Sequence, residues 1–297
     1  MKSHVIDGTR IAQQILAQLK QGIKDQHLEL GLAAVCIGGS PELKFFIELK
    51  KKAAQEIGIQ FSSYELNVDA SMDTVRDTMD WLARDNEIHG VLVELPIPEK
   101  FSSQEILDLV STSKDVDVLT SSREKEFYDR GGKILPPAVR ALSIVFDSYD
   151  IDPKGKTIAV FGQGRLVGKP ISYWLKKQGA KVIAIDEYKK NPGLQSREAD
   201  IIISGVGKPG LIKADMVKDD AIVIDYGYPI QSNSAVHHPP VGGKGRTLYG
   251  TSGQKGYGDV DFENVAKKAS FITPVPGGMG PLVIAAMLEN LVRMGSK

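Results

Sequence analysis

The sequence predicts an α/β fold of two domains, each a mainly parallel sheet flanked by helices. Three observations carry this reading. Short apolar runs alternate with longer stretches of helical spacing along the chain, the pattern of strand–helix–strand units. At 297 residues the chain is long enough for two cores. One apolar run, Thr157–Phe161, leads into a glycine-rich turn and marks the second domain as a Rossmann-type dinucleotide-binding unit.

The elements follow in order. Thr9–Gln26 has helical spacing, and Ala33–Ile37 reads as a buried strand. That strand holds the single cysteine, Cys36, which has no disulfide partner and no catalytic partner in sequence, so it reads as core. Pro41–Ile57 is helical, Ser62–Leu66 a strand, Met72–Asn86 a helix and Gly90–Glu94 a strand. A second series opens after Pro136-Pro137 with a helix over Val139–Tyr149. Buried strands follow at Thr157–Phe161, Val182–Ile185, Ile201–Ser204 and Ala221–Asp225, with helices between the earlier ones. Residues 229–257 are rich in Gly, Ser, His and Pro and read as a long loop or irregular hairpin. Leu282–Val292 is again helical.

Composition removes several function classes. Lys plus Arg equals Asp plus Glu at 37 each, so no global basic field attracts nucleic acid. No apolar run reaches membrane-spanning length and the amino terminus has no signal-peptide core, so a soluble cytoplasmic protein is expected. No metal-ligand set is read.

The clearest site is Gly162-Gln163-Gly164-Arg165-Leu166-Val167-Gly168-Lys169-Pro170. Its Gly-x-Gly-x-x-x-Gly spacing is one residue longer than the common dinucleotide fingerprint. The need is the same: a tight turn, close backbone approach and helix amides aimed at a pyrophosphate. Gly162, Gln163, Gly164, Val167 and Gly168 are therefore candidate cofactor contacts, and Pro170 suits the first turn of the helix. A proline after Gly168-Lys169 excludes a Walker loop. Asp186-Glu187 ends the next strand, about 20 residues beyond the glycines, where a carboxylate accepts both ribose hydroxyls of NAD and repels the 2′-phosphate of NADP. Asp186 as a plain turn cap is the alternative.

Residues 273–281, Thr-Pro-Val-Pro-Gly-Gly-Met-Gly-Pro, cannot continue a helix or sit in a central strand. They either turn the chain or bring backbone against a flat ligand. This string closely resembles the carboxyl-terminal signature of the methylenetetrahydrofolate dehydrogenase/cyclohydrolase family. Further family-like strings stand in register: Asp7-Gly8, Gly38 to Pro41, Lys50, His89 to Pro98, Lys114 to Asp117, Val167 to Pro170 and Gly258 to Phe262.

The resemblance implies a folate-binding catalytic domain over 1–140 plus 275–297 and a dinucleotide domain over 141–274. It implies tetrahydrofolate one-carbon derivatives as substrates, with Pro274, Pro276, Gly277 and Gly278 beside them, and a homodimer. It aligns Phe46 with a usual tyrosine and Lys50 with the lysine that assists water attack on the methenyl carbon. Glu94 stands at a usual glutamine, and Asp117 at the residue that holds the amino-pyrimidine edge of the pterin. Asp115 reads equally as a turn or cap residue.

This chain departs from the family at several points. Phe46 lacks the phenolic donor, Leu43 replaces a frequent serine, and Pro137-Ala138-Val139 replaces Cys-Thr-Pro. An ionised Glu94 beside Lys50 favours the ammonium form and weakens it as a base, whereas a protonated Glu94 imitates the amide. Many NADP-using members carry arginine where Gln163 stands and serine where Glu187 stands, so NAD is expected over NADP. The loop 229–257 is longer than the family pattern. Oxidation of 5,10-methylenetetrahydrofolate is the leading reading, with hydrolysis to 10-formyltetrahydrofolate as a second activity. The alternatives are a catalytically impaired folate- and nucleotide-binding relative, and a dehydrogenase for another substrate on this scaffold.

Overall fold

A computed structural model describes residues 3–227 and 258–296; the expected long loop 229–257 lies outside them. The strands are β1 (His4–Val5), β2 (Gly31–Ile37), β3 (Gln60–Leu66), β4 (Gly90–Val93), β5 (Thr157–Phe161), β6 (Lys181–Ile185), β7 (Ile201–Ser204), β8 (Ile222–Asp225) and β9 (Phe271–Ile272). The α-helices are α1 (Gly8–Asp25), α2 (Pro41–Glu56), α3 (Met72–Arg84), α4 (Ser103–Leu107), α5 (Ser121–Arg130), α6 (Pro137–Ser148), α7 (Gly168–Lys177), α8 (Pro192–Ser196), α9 (Phe262–Val265) and α10 (Met279–Gly295). Two compact units result, residues 1–12 with 138–283 and residues 13–137 with 284–297. Among the described residues no helix is long and apolar enough to cross a membrane.

The unit of residues 13–137 and 284–297 holds a parallel sheet in the order β3-β2-β4. Every residue of the central strand, Gly-Leu-Ala-Ala-Val-Cys-Ile, is buried, as a strand covered on both faces requires. Ser40 caps α2 by accepting from Leu43 N, and Ser71 caps α3 by accepting from Thr74 N. Helix α3 buries Val75, Met79 and Leu82, spaced to give one apolar stripe. A Cβ on Gly90 would come within 2.6 Å of Val116 and 2.7 Å of Leu291, so β4 packs this closely only as glycine.

The unit of residues 1–12 and 138–283 holds a six-stranded parallel sheet in the order β1-β9-β8-β7-β5-β6. Ile202, Val223 and Ile272 are fully buried in its core. The two-residue strands β1 and β9 are too short to leave a periodic signal. Their pairing, His4 opposite Phe271 and Val5 opposite Ile272, groups the amino terminus with this unit rather than with the first half of the chain. The Pro-Gly loop differs from expectation too. Helix α10 begins at Met279, so Gly280 and Pro281 lie in its first turn, where a missing donor is tolerated.

Candidate active and cofactor sites

Helix α2 carries Phe46 and Lys50 four residues apart, hence on one face. Lys50 Nζ donates to both carboxylate oxygens of Glu94, at 2.6 and 2.8 Å. Glu94 sits just beyond β4, 5% exposed, with its amide donating to Val35 O. The neighbouring lysine does something else: Lys51 pairs with Glu48 on the surface. Phe46 packs edge-on against Phe45, ring centroids 5.8 Å apart. Leu43 lies in a buried cluster with Cys36 and Ile47, so its side chain serves the core. Burial pushes the Cys36 thiol up, and Glu94 adds to the shift, which keeps it an inert thiol.

Asp117 lies on a turn held from several sides. The Asp115 carboxylate accepts N–H bonds from Asp117, Leu119 and Thr120. Asn290 of α10, 2% exposed, donates its amide to Val116 O and Leu135 O at 2.9 Å each. Val118 is forced to φ +59°, a region that a β-branched residue enters only when its surroundings over-determine it. Burial pushes the Asp117 carboxyl up to about 7, opposed by Lys50 and reinforced by Asp115 and Glu94. Lys50, Glu94 and Asp117 thus form one electrostatically coupled group.

The glycine cradle is in the six-stranded unit. A Cβ on Gly168 would collide with Gly162 O, and one on Gly162 (φ +81°) would lie 2.9 Å from Gly205 O. Around Gly164 a Cβ would meet nothing within 4 Å, so the turn is open on that side. Helix α7 starts at Gly168, where Lys169 N donates to Gly164 O, Ile171 N to Val167 O, and Pro170 has no N–H, so it is the open glycine turn rather than a row of free helix amides that fits a pyrophosphate. Val167 packs against Gly205, which makes it a wall of the turn. The Gln163 amide bonds back to Val160 O and Gly162 O, and its oxygen accepts from Ser172 Oγ. Asp186 and Glu187 stand exposed beyond β6, and Asp186 Oδ1 accepts from Tyr188 N. In the Pro-Gly loop, Gly277 O accepts from Thr9 N at 3.0 Å, and a Cβ on Gly278 would collide with Pro274 O. The Val275–Pro276 peptide is cis.

Residues 6–117 match the family model described as tetrahydrofolate dehydrogenase/cyclohydrolase, catalytic domain. Residues 136–297 match its NAD(P)-binding domain. The chain belongs to the tetrahydrofolate dehydrogenase/cyclohydrolase family. It is 35% identical to the bifunctional protein FolD of Nitratiruptor sp., over 97% of this chain and 96% of that one. Its fold superposes on the crystal structure of the bifunctional enzyme FolD from Campylobacter jejuni with a TM-score of 0.86. There the identity is 33%, over 99% of this chain and 98% of the other. The Trypanosoma brucei dehydrogenase-cyclohydrolase, solved with NADP and an inhibitor, gives a TM-score of 0.87 at 26% identity, over 99% and 98% of the two chains.

Within this family frame, sequence reading named Lys50, Glu94 and Asp117 but missed Asn290, which holds the turn before Asp117, and did not single out Asp259 in the six-stranded unit. Asn290 gave no signal, because a lone polar residue in an apolar helix declares no partner 174 residues away. Asp259 had a signal in Gly-Asp-Val-Asp-Phe, but its bonds to Ser204, Val206 and Lys208 are a tertiary matter.

Proposed function

We propose that the chain oxidises 5,10-methylenetetrahydrofolate to the 5,10-methenyl compound with NAD, and hydrolyses that product to 10-formyltetrahydrofolate only slowly. Family membership supports the chemistry, and the Lys50–Glu94 contact carries the imbalance between the two steps. Bound nicotinamide accepts the hydride that leaves the methylene carbon. The protein's share is placement: Asp117 orients the pterin edge, and Pro274, Pro276, Gly277 and Gly278 approach the substrate with little side chain. We assign folate binding and catalysis to 1–140 with 275–297, and the dinucleotide to 141–274, a functional division that differs from the packing units, since residues 1–12, 138–140 and 275–283 pack with the six-stranded sheet. Homodimeric assembly is proposed on the resemblance alone, and a cytoplasmic location on the sequence composition.

Lys50 is the group that assists water in the second step. Both oxygens of Glu94 already take its N–H groups, and Phe46 offers no hydroxyl in support. The same contact favours a second reading, a folate- and nucleotide-binding relative without turnover. Steady-state assays with methylenetetrahydrofolate and each nicotinamide cofactor separate the two, since a binding protein gives no reduced cofactor. Turnover only with an unrelated alcohol or acid would favour the third reading.

The preference for NAD rests on charge. Asp186 and Glu187 put carboxylates where a 2′-phosphate would lie, and the Gln163 amide is engaged by backbone. The expected result is a higher kcat/KM with NAD than with NADP. Asp186→Ala narrows that preference by about 1–3 kcal/mol, the loss of a charge-assisted ribose contact. Equal or better use of NADP by the wild-type protein would sink this assignment.

A further inference from the structure

Two carboxylates of the six-stranded unit are almost wholly buried, Asp225 at 2% and Asp259 at 1% exposure. Asp225 ends β8. Its Oδ1 accepts from Gly227 N at 2.7 Å and Asp259 N at 3.2 Å, and its Oδ2 from Val260 N at 2.9 Å. Asp259 accepts from Ser204 Oγ, Val206 N and Lys208 N, each at 2.7 Å. The backbone of Asp225 donates to Thr273 Oγ1 at 2.7 Å, the first residue of the Pro-Gly loop. A Cβ on Gly227 would collide with the Asp259 carboxylate and one on Gly258 with that of Asp225, so the approach depends on glycine. Burial pushes the Asp225 carboxyl up to about 7 and Asp259 adds to this, while the N–H donors pull the other way.

A buried carboxylate pair costs more desolvation than an apolar filling of the same space, so holding the fold is a weak reason for it. Its position gives a better one. In the order β9-β8-β7-β5-β6, the ribose carboxylate Asp186 follows β6, on one side of β5. A dinucleotide lying across the carboxyl ends of such strands puts its other half over β7 and β8. The two carboxylates tie the segment 204–208 to Gly227 and 258–260 at that end, and the backbone N–H of Asp225 holds Thr273 beside them.

We infer that Asp225 and Asp259 are positioning residues for the nicotinamide half of the cofactor, holding the loop after β7 and the turn at 258–260 as one wall. The inference rests on the reading of this unit as the dinucleotide site. Neutralising Asp259 puts an amide N–H against donors and loosens the wall, without touching the adenosine side at β6.

The test compares NAD+ with ADP-ribose, which lacks the nicotinamide, by calorimetry on Asp259→Asn and the wild type. NAD+ affinity is expected to fall about tenfold or more and ADP-ribose affinity less than about twofold, the gap between a displaced ring and an intact adenosine site. Saturating NAD+ should not restore kcat, because the ring is misplaced as well as weakly held. Ser204→Ala removes one link to the Asp259 carboxylate and carries the same comparison if Asp259→Asn does not fold. Equal loss of both ligands, or of neither, in folded variants overturns the inference. A wild-type protein that binds neither ligand overturns the dinucleotide reading and this inference with it.

Discussion

Lys50→Met is expected to lower the hydrolysis of 5,10-methenyltetrahydrofolate by about 10²- to 10⁴-fold, the usual contribution of a positioned acid–base group. Methionine keeps the length and the packing of the stem while removing the nitrogen. Hydride transfer survives in part, because it depends on placement and on the cofactor. Glu94→Gln works in the opposite direction. The carboxylate takes two N–H groups of Lys50, at 2.6 and 2.8 Å, and its charge is attracted to the ammonium. A glutamine there offers one carbonyl acceptor and no charge. Hydrolysis is expected to rise severalfold, because Lys50 is no longer held by both oxygens of a charged partner. Changing Phe46 to tyrosine in the same chain should raise it further by returning a hydroxyl to the lysine's face of α2. The measurement is loss of the methenyl compound without nicotinamide, corrected for the uncatalysed rate. Fast wild-type hydrolysis that Glu94→Gln lowers would show that Glu94 serves the chemistry.

Asp117→Ala should reduce kcat/KM for the folate by about 10- to 150-fold, the equivalent of about 1.5–3 kcal/mol for a hydrogen bond to a charged group. NAD affinity should stay within about twofold of the wild type, a change of less than about 0.4 kcal/mol. If both affinities fall together, Asp117 holds the fold rather than the pterin. The carboxyl titrates near 7, with burial as the main cause. Its ionised form accepts from a donor edge best, so the folate KM of the wild type should fall as pH rises through about 7. Asp117→Asn should flatten that profile. The linkage to stability has the opposite sense. The folded protein holds this proton above the pH at which the unfolded chain releases it, so stability from this group is full below about 3.8 and lost as pH rises to about 7. Thermal melts should therefore favour Asp117→Asn over the wild type more at pH 8 than at pH 4.

Much of this protein was determined by local sequence alone. Seven consecutive small and apolar residues at Gly31–Ile37 admit little other than a strand covered on both faces, and the structure buries all seven. Thr157–Phe161 followed by glycines fixed the dinucleotide turn, because only glycine fits where Gly168 meets Gly162 O. Local sequence does not single out Lys50 among three adjacent lysines; register with the family does, and the structure gives it the buried partner Glu94.

Tertiary structure decided the rest, for one physical reason: long-range hydrogen bonds leave no periodic trace in either partner's own segment. Asn290 reaches Val116 and Leu135 from a helix whose pattern announces only apolar packing. The two-residue strand β1 exists because β9 supplies its backbone partners at the sheet edge, and the equally short β9 because it lies between β1 and β8. Asp225 reads as the last residue of a buried strand and Asp259 as part of a family-like string, and neither segment by itself shows that the two carboxylates meet. Burial then makes every N–H donor around them matter, and that property belongs to the assembled sheet rather than to any stretch of sequence.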